Sequence, residues 1–484
     1  MTTTPTLPWW YPYRRHHQPF YHGNPEALGF ALDSVGRSIG FIGAAGFLGT
    51  ALLQLAQQEV GCSSSAMEEC EGRVYGILRP SSLLTTYTIV VGIVSATLLP
   101  FLGAVVDYTA HRRTVARFTS ITICFLMIPQ IYLNQQTWII VAGLQMVVAF
   151  TGWAQTMVSH AYLPELTDRE DRLNEYTKSF TIINFTSMVL YLAAVIGLAS
   201  WWNLGNVGTA QLALAVALIV MIPLLYLAWG QLLQPRPPAR VLPSGQSLWS
   251  AGFVQIYHTG QYIHRNLPTL RWFYTAVAFL DAGINGLVTV TITYMTDQLD
   301  FSSTETGLVV LLVLVGSIPG ALLASRVASW WDPVRSAMAA SILLILNTLT
   351  EAIVLKGPGQ QLAAYFFSIV WGIGTGWKWT NDRMLASILI PNGQDAELMG
   401  TYLFASQCLT WVPPLVFTLM NELGVSQRVG IGTFSIYYSI GVMALWMIGD
   451  YRHAVDVAKA SSGTVPADVA ATAKAADPVE TENG

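Results

Sequence analysis

The stretch ALGFALDSVGRSIGFIG, residues 27–43, sets a carboxylate and a guanidinium four residues apart in an apolar, glycine-rich run. On a helix Asp33 and Arg37 share one face and can pair. A second stretch, FLDAGINGLV, places Asp281 in a comparable apolar setting. A third, WGIGTGWKWTNDR at 371–383, gathers Lys378, Asp382 and Arg383 behind three alternating glycines and beside Trp377 and Trp379. Residue types of this kind support three chemistries. An ion pair can hold helices together. A guanidinium can take the α-carboxylate of a zwitterion while an aspartate takes its ammonium. A buried carboxyl can carry a proton, because burial disfavours its charged form. The residues alone leave all three open. Lys378 and Asp382 are also four apart, so a local ion pair competes with a gating role there, and Trp377 and Trp379 can line a cavity.

The elements that must position these groups follow from composition. The chain has 484 residues, 53% hydrophobic and 11% charged, with a mean hydropathy of +0.47. Soluble domains carry roughly 25% charged residues. Apolar runs near 20 residues, long enough to cross a bilayer, recur throughout. Lipid leaves helix as the open structure available to such runs. Twelve spans are expected, at 29–57, 83–106, 114–133, 137–160, 178–200, 208–232, 271–296, 305–330, 336–355, 361–382, 398–420 and 430–449. The expected class is therefore an all-α membrane protein. A lone charge at mid-bilayer costs roughly 2.5–3.5 kcal/mol, so each charged group above should face inward. Pro and Gly in "IPG" (318–320) and "WVPP" (411–414) can mark kinks. Glu351, near the far end of the ninth span, is expected at the interface.

The N-terminal MTTTPTLPWWYPYRRHHQPF lacks the basic start and apolar core of a signal peptide, so the first span is expected to be retained. A Pro-rich stretch after residue 233 divides the spans six and six. The expected organisation is a cytosolic tail 1–28, a six-helix bundle 29–233, a cytosolic linker 234–270 with room for a short amphipathic helix, a second bundle 271–449, and a disordered tail 450–484. With the N-terminus cytosolic, nineteen of the 24 Lys and Arg fall on the cytosolic side, four fall opposite and Arg37 lies within a span. That bias favours both termini in the cytosol. It also places the Cys62/Cys70 loop on the other side, where the two thiols can bridge if that compartment is oxidising, or stay reduced. Asn184 begins a glycosylation sequon, but it lies inside a span, where modification is not expected. The net charge of −4 gives no reason to expect a nucleic-acid partner.

After the second span comes GAVVDYTAHRR, 103–113. Gly103 allows close helix approach, Asp107 ends the helix, and Arg112 and Arg113 follow. The spacing fits a charge latch between moving bundles, and a plain cytosolic anchor competes with that reading. The stretch resembles the signature loop of the major facilitator superfamily, with Ala110 in place of its second Gly. The resemblance implies two six-helix bundles around a midplane site, working by alternating access. RMLASILIPNGQDAELMGTY, 383–402, is similar to a characteristic stretch of the autophagy-related vacuolar amino-acid effluxer family, with Arg383, Ile390, Pro391, Glu397, Gly400 and Tyr402 in its positions. YLPEL (162–166) and DAGINGLVTV (281–290) agree more weakly.

This resemblance implies export of neutral, leucine-like amino acids from a vacuole or lysosome. A proton gradient would be the driving force, with no cofactor, and small molecules and membrane lipids would be the partners. A facilitator for another organic solute, such as a sugar or drug, and a non-transporting receptor or scaffold are the alternatives. The sequence contains no phosphate-binding loop, paired-His metal motif or nucleophile elbow, so neither ATP-driven pumping nor enzymatic catalysis is expected.

Overall fold

The structure is a computed structural model that describes residues 20–62, 72–167, 169–238, 242, 247–391, 395–453 and 455–456. Most of both expected tails, and Cys70, lie outside the described residues. Among the described residues fourteen α-helices account for most of the regular structure, and the β features amount to one isolated bridge, Val74 to Leu78. In chain order the helices are α1 Pro25–Glu59, α2 Leu83–Tyr108, α3 Arg112–Gln130, α4 Trp138–Tyr162 and α5 Glu170–Trp201. There follow α6 Asn206–Leu232, α7 Leu248–Asn266, α8 Pro268–Asp297, α9 Ser303–Trp330 and α10 Pro333–Val354. The last four are α11 Gln361–Leu389, α12 Asp395–Cys408, α13 Val412–Glu422 and α14 Gln427–Trp446.

Local chemistry explains the helix starts. At α1 the Asn24 side chain accepts from the Glu26 and Ala27 amides, Pro25 opens the helix, and Glu26 complements the dipole. Asp332 caps α10 in the same way ahead of Pro333. Two helices carry π segments, Ala44–Leu48 within α1 and Tyr226–Leu232 at the end of α6. Such segments re-aim side chains and recur at functional sites. Pro319 of "IPG" stays inside an unbroken α9, whereas the expected eleventh span is interrupted between Cys408 and Val412, just before Pro413 and Pro414. Two successive prolines cannot donate to the preceding turn, so the helix restarts there.

Each of the twelve expected spans falls mainly on helix, the eleventh with the break just described. Among the described residues ten segments are long and apolar enough to cross a membrane. The two that fall short are α3, which opens with Arg112, Arg113 and Arg117, and α11, which carries Lys378, Asp382 and Arg383. Part of the expected linker is helix α7, which presents Trp249, Phe253 and Tyr257 outward.

Contacts divide the chain into two compact units. The first comprises residues 1–55, 110–237 and 302–307, and there α1 packs on α4, α5 and α6, while α3 packs on α4 and α6. Tyr21, Phe30, Tyr176 and Phe180 form a tight aromatic cluster in it. The second comprises residues 56–109, 238–301 and 308–484, and there α14 packs on α8 and α10, α10 on α11, and α13 on α2 and α8. Its core is apolar and continuous, from Leu270 and Phe273 through Leu344 to Phe434.

Candidate functional site

Each unit buries one charge centre in its helices. In the first unit, Asp33 of α1 is fully buried. Its Oδ2 accepts from Arg37 Nε at 2.9 Å and from Ser159 Oγ at 2.6 Å. Its Oδ1 accepts from Gln155 Nε2 and Trp229 Nε1, each at 2.7 Å. Gln155 and Ser159 lie four apart on α4, and Trp229 comes from the π segment of α6, so three helices converge on one carboxylate. A carboxylate has about four acceptor positions, and here they are taken. The expected role of Asp33 as the partner of a substrate ammonium therefore has no lone pair left to serve it. The guanidinium is less committed. Arg37 Nη1 donates to Thr156 Oγ1 at 2.6 Å, while Nη2 makes no hydrogen bond to a described residue. The side chain is 14% exposed.

In the second unit, Lys378 of α11 is fully buried and bonds both Asp281 of α8 and Asp382, the latter at 2.6 Å. Two buried carboxyl groups thus share one ammonium. Close helix packing carries Lys378 inward. Gly372 and Gly376 of α11 interleave with Gly316 and Gly320 of α9, and a Cβ at any of the four would collide with a backbone carbonyl of the facing helix. Trp377, expected to line a substrate cavity, is half-buried and donates from Nε1 to Ser336 Oγ at 2.9 Å. The Asn381 amide meets the same hydroxyl. Arg383, the residue after Asp382, is exposed. Asp281 thus changes its company, joining Lys378 and Asp382 of the expected gate. The change arises because α8 and α11 are packed neighbours, a relation that spacing along the chain cannot show.

The expected latch residues divide between the units. Gly103 and Asp107 end α2 in the second unit, both half-buried. In the first unit Arg112 is buried against Glu165, with Nη1 to Oε1 at 2.7 Å. Arg236 joins Glu165 to Glu26, so the ends of α1, α3, α4 and α6 are tied by four charges. Arg113 and Arg117 each bond the carbonyls of Trp229 and Gly230, which the π turn leaves available. The backbone that aims the Trp229 indole at Asp33 is therefore held by two guanidinium forks.

Gln155, Thr156, Ser159, Trp229 and Glu165 escaped the sequence reading. A signal for three of them was present: Gln155, Thr156 and Ser159 form one polar stripe in an otherwise apolar span. Glu351, expected at the interface, is 5% exposed. The α10 end that carries it is covered by α11 and α14. Cys62 is disulfide-bonded, and Cys124 and Cys408 are free. Among the described residues no three His, Cys, Asp or Glu side chains converge as a metal site.

Comparison with solved structures shows what this arrangement of helices is similar to. The nucleoside transporter NupG aligns over 88% of this chain and 100% of its own, at 11% identity and a TM-score of 0.59. A D-xylose-proton symporter aligns over 88% and 96%, at 14% identity and a TM-score of 0.60. An auto-inhibited POT family peptide transporter aligns over 87% and 96%, at 11% identity and a TM-score of 0.61. At such identities the likeness establishes the major facilitator fold alone. No curated protein sequence matches the chain. The family model described as "Vacuole effluxer Atg22 like" matches residues 26–458, nearly the whole helical body. With its apolar helices and its buried charge centres, the chain belongs to the Atg22-like vacuole effluxer family and is a multi-pass membrane transporter of the major facilitator fold.

Proposed function

We propose that this transporter exports neutral, leucine-like amino acids from a vacuolar or lysosomal lumen to the cytosol, by alternating access and with the proton gradient as driving force. Both termini face the cytosol in this reading, as the distribution of Lys and Arg favours. The observation that carries the substrate class is Arg37. A guanidinium inside an apolar helix is costly unless it is paired and used. Asp33 and Thr156 occupy Nε and Nη1 and fix the plane of the group, while Nη2 stays free of described partners and the side chain stays partly open. A planar donor held in this way suits the α-carboxylate of an amino acid. Asp33 acts as the orienting anion and leaves the substrate's ammonium to other acceptors. The family name supports the vacuolar compartment and the outward direction.

The test is transport in proteoliposomes of the purified full-length protein. Vesicles preloaded with labelled leucine should release it faster under an inside-acid gradient, and Arg37→Ala should abolish that release while the protein remains folded. Release unchanged in Arg37→Ala would return the Asp33–Arg37 pair to a structural role. A folded wild type that moves no neutral amino acid would refute the substrate class.

A further inference from the structure

Glu351 sits in the last turn of α10 and belongs to neither charge centre. Its side chain is 5% exposed, and no hydrogen bond or ion pair joins it to a described residue. The neighbouring elements supply the groups that face it. Tyr438 of α14 and Tyr294 of α8 lie within its electrostatic reach, and Arg428 of α14 acts on Tyr294. The Tyr294 hydroxyl is committed to the Leu355 carbonyl at 2.6 Å. From α11 comes Trp371, whose indole lies beside the Tyr438 hydroxyl. Lys378 and Asp382, also on α11, are committed to their own centre.

Three buried polar atoms in this neighbourhood lack a partner: Trp371 Nε1, Tyr438 Oη and Thr348 Oγ1, the last one turn before Glu351. Unpartnered buried donors are uncommon and call for an explanation. A carboxyl among such atoms has no fixed donor for its ionised form, and protonated it needs no cation. A permanently ionised carboxylate without a cation in this setting would be strongly unfavourable.

We propose that Glu351 is a proton-binding site and takes up and releases one proton in each transport cycle, an inference that rests on the proton-driven reading above. The step is an acid–base exchange with water. Hydronium gives its proton to the carboxylate on one side, leaving water and a carboxylic acid. That O–H is returned to water on the other side.

The experiment compares wild type with Glu351→Gln, which keeps the size and holds the group neutral, in full-length protein reconstituted into liposomes. Exchange of labelled for unlabelled leucine at equal pH should stay within about twofold of wild type, since it needs no net proton movement. Leucine flux driven by a pH gradient, and the proton flux measured with it, should fall at least about tenfold, or about 1.4 kcal/mol in effective driving. Retained leucine-linked proton flux in the variant overturns the proposal. So does loss of exchange together with flux in a variant that folds normally. An independent measurement is the protonated-carboxyl infrared band in acid-minus-alkaline difference spectra. Glu351→Gln should lose one component of this band that wild type shows, and an unchanged band overturns the proposal. If wild type exchanges no amino acid, the substrate reading fails, and the infrared band still decides the proton site.

Discussion

Replacing Lys378 with Met removes the one cation between two buried carboxylates and keeps the length of the side chain. The wild-type ammonium makes a charge-assisted hydrogen bond to Asp281, worth about 1.5–3 kcal/mol, and an ion pair with Asp382. Removing one partner of a buried ion pair costs about 3–5 kcal/mol, because a charge is left buried without compensation. Lys378→Met leaves two such charges side by side, so the loss should reach that range. That is a large share of the roughly 5–15 kcal/mol that holds a domain folded.

The sharper expectation concerns sign. In wild type, Asp382→Asn weakens the centre but leaves a neutral Lys378–Asp281 pair, so it destabilises mildly. In Lys378→Met it removes one of two repelling carboxylates, so it should stabilise. The coupling between the two substitutions should lie at about 1–3 kcal/mol, above the roughly 0.5 kcal/mol within which independent sites add. Unfolding of the four proteins in matched mixed micelles measures it. Acid, which discharges carboxylates, should narrow the gap between Lys378→Met and wild type. An Asp382→Asn effect of the same sign and size in both backgrounds would refute the shared-cation account.

Further expectations follow from the same geometry. Arg37→Lys keeps the charge but loses the planar fork, so the KM for leucine exchange should rise about tenfold, a change of about 1.4 kcal/mol, with a smaller effect on the maximal rate. Trp229→Phe keeps an aromatic side chain but loses the pyrrole ring and with it one N–H to Asp33, and should cost at least about 1–3 kcal/mol in unfolding measurements and slow transport. The forks of Arg113 and Arg117 bond backbone carbonyls and should survive that change. Gly376→Ala drives a methyl into the Ser317 carbonyl and should cost at least about 1–3 kcal/mol, seen as a lower melting temperature. Gly143→Ala, with open space around its Cβ, should be neutral or stabilising and serves as the control.

The sequence by itself determined the class of the molecule and the place of its helices. Those properties depend on composition and on local runs, which lipid reads residue by residue: a segment near 20 apolar residues is a spanning helix whatever surrounds it. Pairs four apart were equally legible, because the helix alone brings Asp33 to Arg37 and Lys378 to Asp382. The tertiary structure decided which helices share a centre. Asp281 meets a lysine 97 residues away, and Asp33 meets an indole 196 residues away. No local rule carries that information, since packing of α8 on α11 and of α1 on α6 creates it. The structure also decided which groups are spent and which remain available. Asp33 has its acceptor positions filled by Arg37 and by donors from two other helices, Arg37 keeps an Nη, and Glu351 is buried with no ion pair to a described residue. Polar atoms in a low-dielectric interior take their chemistry from the few neighbours that packing gives them, and those neighbours are set in three dimensions.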